Sequence, residues 1–181
     1  MKVSWLRRVL IWIGICGAVF VLGFIVLPSP IVSRPTSNLV KCANNLHQIG
    51  LEISAYARDN GGNYPDSFES LLRYGLTHDG PLAMDFDCPA TNDRPAYGPT
   101  TEATVTDFKF AGHCSYVYAG RGMKAGITPA NAVVIYELLE NHGGDVINVL
   151  VAGGDVEFLD KAAAIKILDQ AAKGVSPILV L

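Results

Sequence analysis

The sequence predicts an α+β protein: an N-terminal transmembrane helix, then a domain in which a long amphipathic helix packs on a small antiparallel β-sheet, with a C-terminal helix at the end. Three observations predict it. Val9 to Leu27 (VLIWIGICGAVFVLGFIVL) contains no charged side chain. Residues 39–57 place apolar side chains at spacings of three and four, the period of one helix face. Late in the chain, short runs rich in β-branched and aromatic residues alternate with glycine-containing turns. The boundaries that follow are a cytoplasmic N-terminus over 1–8, an anchor over 9–27, a proline-rich linker over 28–36 and an extracytoplasmic domain over 37–181.

The anchor has about 19 residues, which at ~1.5 Å rise reach roughly 28 Å, close to the thickness of a bilayer's hydrocarbon core. Lys2, Arg7 and Arg8 precede it, so the rule that basic flanks stay inside leaves the rest of the chain outside, in a single-pass protein of the inner (cytoplasmic) membrane. An uncleaved anchor is favoured over a signal peptide because the apolar run is long and no small-x-small cleavage site follows it. Pro28, Pro30 and Pro35 then punctuate the linker.

The second helix is expected to start at Ser37 or Asn38 and to turn Leu39, Cys42, Ala43, Leu46, Ile49, Ile53, Tyr56 and Ala57 inward. Asn60-Gly61-Gly62 ends it. Asp66 with Glu69 reads as the start of a short helix closed by Gly75, and residues 77–111, with four prolines, as a long irregular loop. Ser115–Ala119 and Ala132–Glu137 read as strands, and VINVLVAGGDVEFL as a hairpin turning at Gly153-Gly154. Asp160 caps a last helix with Ile165 and Leu168 inward and Gly174 at its end.

All 17 acidic residues follow the anchor, against 11 of the 14 basic ones, so the outer part carries a net −6. An acidic domain without a cluster of Lys and Arg does not bind nucleic acid. Cys42, Cys88 and Cys114 are the disulfide candidates: one bridge and one leftover thiol, with three pairings open. Cys16 is a small apolar residue of the anchor. His47, His78, His113 and His142 are scattered, and no local motif pairs them with a nucleophile, so no catalytic residue is assigned and the protein reads as not an enzyme. Asp85, Asp87, Asn92 and Asp93 are oxygen ligands of the kind calcium takes, in a loop able to wrap it; no other cofactor is indicated.

Cys42-Ala43-Asn44-Asn45-Leu46, Gln48-Ile49-Gly50, Tyr56, Asn60-Gly61-Gly62, Tyr64-Pro65, Cys88-Pro89, Ser115 to Tyr118, His142-Gly143-Gly144 and Asn148 through Leu159 occur in an order that resembles the prepilin and pseudopilin group, above all the head of the type II secretion major pseudopilins. The likeness covers most of residues 36–160. It implies a pilin fold, a structural rather than catalytic role in envelope assembly, secretion or surface interaction, and other pseudopilin-like subunits or secretion components as partners besides the membrane. The usual prepilin cleavage motif is missing: the span opens Arg7-Arg8-Val9-Leu10-Ile11-Trp12, without a glycine before it or a glutamate in it. The alternative is a membrane-tethered calcium or small-ligand binding module with a pilin-like head.

Overall fold

The computed structural model describes residues 5, 7, 9–13, 15, 34–78, 80 and 83–180. Two compact units, Met1–Arg34 and Pro35–Leu181, divide the chain. In the first, the described residues are helical. The expected anchor is corrected here: among the described residues no helix is long and apolar enough to cross a membrane. Residues 14 and 16–27 of the expected span, with Cys16, and 28–33 of the expected linker lie outside the described residues. A transmembrane helix, and a single-pass inner-membrane location built on it, are therefore withdrawn.

The second unit opens within α1, Arg34–Asp59, which is 26 residues long. It has the length for a crossing, but its outer face carries Lys41, Gln48, Arg58 and Asp59 in water. It starts ahead of Ser37 because Pro35 falls in the first turn, where a missing N–H costs nothing. It ends as expected: Gly61 and Gly62 adopt φ of 65° and 87°, and the Gly62 amide donates back to the Ala57 carbonyl at 2.7 Å.

Next come α2, Phe68–Thr77, a 3-10 turn at Ala83–Phe86 and α3, Thr101–Phe108. Two expectations change. Ser67, not Asp66, caps α2 by accepting from the Ser70 amide, and Gly75 lies buried inside the helix rather than closing it. The stretch expected to be irregular contains α3, capped by the Thr100 hydroxyl and docked through Val105 and Phe108. So short a helix, with two apolar anchors among threonines, offers too little period to be read.

The strands β1 (Tyr116–Tyr118), β2 (Val133–Glu137), β3 (Val146–Val151) and β4 (Val156–Asp160) form one antiparallel sheet in the order β1-β2-β3-β4. Gly153-Gly154 makes the predicted turn between β3 and β4, Gly154 with φ 95°. Then α4, Lys161–Ala172, starts at Asp160, whose carboxylate accepts from the Ala163 amide. Its inward residues are Ala164 and Ile167, with Leu168 half-buried; Ile165, expected inward, is 51% exposed. One helical residue is a rotation of about 100°, enough to carry Ile165 off the docked line.

The two faces of the sheet bury separate cores. Cys42, Leu46, Ile49 and Ile53 of α1 pack with Val134, Ile135 and Leu150. A Cβ at Gly50 would meet the Leu150 side chain at 3.0 Å, so the glycine lets the helix lie close. On the opposite face Val133, Tyr136, Ile147, Val149 and Val151 pack with Ala164 and Ile167 of α4.

Candidate functional site

Strict alternation along Val133–Glu137 would put Glu137 on the face of Val133 and Ile135. Instead the register slips between Val133 and Ile135: Val133 pairs with Val151, and Ile135 with Leu150. Val134 is the extra residue of a bulge. Val134 and Ile135 both join the α1 core, Tyr136 returns to the α4 core, and Glu137 is aimed beneath α1.

There it meets a disulfide. Cys42, on the inner side of α1, is bonded to Cys88, whose Cα lies 5.1 Å away. The other two pairings are thereby excluded, and Cys114 is the leftover thiol. The Cys88 loop is pinned from two sides. From α1, the Asn45 side-chain amide donates to the Asp87 carbonyl at 2.8 Å and that of Asn38 to the Pro89 carbonyl at 3.1 Å. From below, the Cys88 amide donates to the Ser115 hydroxyl at 2.8 Å, and that hydroxyl donates to Asp93 at 2.6 Å.

His142 completes the group. It ends a 3-10 turn, Leu139–His142, that follows β2, and left-handed Gly143 closes the turn. Its Nε2 lies 3.6 Å from the Cys88 sulfur and 3.1 Å from Glu137 Oε2. The two side chains are 4% and 0% exposed. Glu137 Oε2 also accepts the Asn148 amide at 2.7 Å, whereas Oε1 is buried without a hydrogen-bond partner. Burial pushes the Glu137 carboxyl above the ordinary range; the Asn148 amide and His142 oppose that shift. Asn148 in turn donates its side-chain amide to the Leu39 carbonyl of α1 at 3.0 Å.

Among the described residues, Cys42, Cys88, Glu137 and His142 are the group of His, Cys, Asp and Glu side chains whose ligand atoms converge, all within 4.8 Å of one another. The four come from α1, the loop after the first 3-10 turn, β2 and the second 3-10 turn. Sequence reasoning singled out the cysteines but missed Glu137 and left His142 unpaired. A signal was present: Glu137 is the lone charge ending the apolar run AVVIYE, and a carboxylate in a buried strand is costly unless it has work or a partner.

The calcium candidates are not gathered in this way. Asp85 lies in the first 3-10 turn and Asn92 is exposed. Asp93 is occupied by Ser115 within the loop. Asp87, half-buried, is pushed up to about 6, first by burial and then by Asp93. Of the histidines, His47 is exposed on α1, His78 stacks on Tyr74, and His113 bonds the Arg94 carbonyl at 2.6 Å. Burial pushes the Cys114 thiol up to about 12, which leaves it a poor nucleophile. An open cleft of about 310 Å³ lies at the far end of α1, lined by Ser54, Arg58, Tyr64 and Lys124 among others; no carboxylate, histidine or cysteine lines it.

No family model, curated protein or solved structure matches the chain. Nothing in these comparisons speaks for a pseudopilin or for secretion; that likeness stands on the quoted residues alone.

Proposed function

We propose that residues 35–181 act as a non-catalytic contact module of pilin-like type, which associates through the outer face of α1 with another helix of the same kind. The observation that supports this most is the two-sidedness of α1. Its inner stripe is used up on the sheet, while Val40, Asn44, His47, Leu51, Ser54 and Arg58 follow one another outward at alternating spacings of four and three, all six of them exposed. Val40 and Leu51 are 47% and 54% exposed and three turns apart at ~3.6 residues per turn, so they share a line. Two exposed apolar side chains on one helix line, flanked by polar ones, give a narrow strip on which another helix can pack.

A benzophenone side chain installed at position 47 or 51 of the full-length chain, irradiated in its native cells, tests the reading. Adducts to a second copy or to another helix-bearing protein are the expected result. Absence of adducts, or equal labelling from a probe at Ile165 on α4, would overturn it.

A further inference from the structure

We propose that Cys42, Cys88, His142 and Glu137 form a closed four-ligand zinc site once the Cys42–Cys88 bond is reduced, so that the same four elements are held together either by a disulfide or by a metal ion. This goes beyond the contact function and does not depend on it.

The donor set is the first reason. Two thiolates, an imidazole and a carboxylate are all zinc ligands, and four protein ligands in a buried place give a closed, structural site rather than a catalytic one with an open position. Geometry is the second. Bonds of about 2.3 Å to sulfur and about 2.0 to 2.1 Å to nitrogen and oxygen, at tetrahedral angles, require about 3.5 Å between nitrogen and sulfur and about 3.3 Å between nitrogen and oxygen. His142 Nε2 already stands 3.6 Å from the Cys88 sulfur and 3.1 Å from Glu137 Oε2. The atoms that must move are the sulfurs, which part from bonding distance to about 3.8 Å when both bind one ion.

The third reason is the otherwise unexplained carboxylate. Glu137 is fully buried, and Oε1 has no hydrogen-bond partner. A purely structural disulfide has no use for it, and a buried carboxyl without full satisfaction is destabilising. A metal ion bound through Oε2 would neutralise the buried carboxylate, and the Asn148 amide on the same oxygen would be the outer contact that orients the ligand.

The chemistry balances with a dithiol reductant. Two electrons and two protons pass from the dithiol to the Cys42–Cys88 bond, giving two protein thiols and a disulfide of the reductant. Zinc then displaces the two thiol protons to solvent and binds both thiolates. While the sulfurs are bonded to each other, neither is a thiolate, and the site is closed to the ion.

Cobalt(II) is the probe, added without oxygen to the full chain after reduction by a phosphine that is then removed. Expected are one equivalent bound, intense visible bands of tetrahedral cobalt, a sulfur-to-cobalt absorption in the near ultraviolet, and displacement by zinc. The oxidised chain should show none of these. H142A and E137A should each weaken binding by well over about tenfold, the least that loss of an outer-shell contact alone produces. C114A should leave the spectrum unchanged. A weak octahedral spectrum from the reduced chain, or tetrahedral bands that survive in both H142A and E137A, would overturn the proposal. Far-ultraviolet circular dichroism of each variant separates loss of ligand from loss of fold.

Discussion

The two faces of the sheet are built on different principles. Under α4 the buried side chains are apolar apart from the Tyr136 phenol, and Val133, Ile147, Val149 and Val151 meet Ala164 and Ile167. Under α1 an apolar core of similar kind surrounds a disulfide, a buried carboxyl, an imidazole and the fully buried Asn148. Hydrophobic burial alone suffices for the first face. The second carries polar groups whose burial is unfavourable unless each finds a partner. A domain that needed only to fold could have used two faces of the first kind, so the chemistry of the chain is concentrated beneath α1.

The largest expected effect breaks that contrast from the α1 side. Reducing Cys42–Cys88 in the presence of a chelator frees a loop with a sequence separation of 46, which removes about 4 kcal/mol in the chain-entropy description. Urea unfolding with and without phosphine measures it; a change under 1 kcal/mol would mean that the α1 face does not depend on its cross-link. The matching test on the α4 face is Ile147→Ala. Ile147 is fully buried, and such a truncation costs about 3 kcal/mol. Its loss should be the same in oxidised and reduced protein, because the two faces share no partners; a difference beyond about 0.5 kcal/mol would show them coupled.

Smaller changes sharpen the comparison. Asn148→Ala removes the bond to the Leu39 carbonyl and should cost about 1 kcal/mol. Hydrogen exchange of the first turns of α1 would report the loosening; unchanged protection there would detach Asn148 from the helix. Glu52→Gln should have the smallest effect, and of opposite sign. Burial raises the Glu52 carboxyl above its ordinary 4.5, with His78 opposing. A raised carboxyl contributes stability that is complete below the unfolded value and is lost as pH rises through the folded one. The wild type should therefore decline between pH 4.5 and 7 more steeply than the variant, and melt slightly below it at pH 7. Parallel melting curves across that range would refute the burial of this group.

How far the sequence reaches differs from element to element. α1 is legible because its stripe repeats through several turns, and the β3–β4 hairpin because Gly153-Gly154 offers a turn between two β-rich runs. α3 is not, since eight threonine-rich residues hold too few inward positions. The apolar run 9–27 reads as an anchor from hydropathy alone, yet no described helix meets the requirement. Of the candidate site, both cysteines were in view among three candidates and their pairing was not: Cys42 and Cys88 meet where Asn38 and Asn45 of α1 hold the Cys88 loop against the helix.

By itself the sequence determined what depends on neighbours along the chain: helix stripes, turns, caps and the acidic balance. Tertiary structure alone decided what depends on register. A single bulged residue, Val134, rephases β2 so that Glu137 turns toward the disulfide and His142. Local periodicity carries no record of such a slip, because it is selected by how two cores pack on opposite sides of one strand.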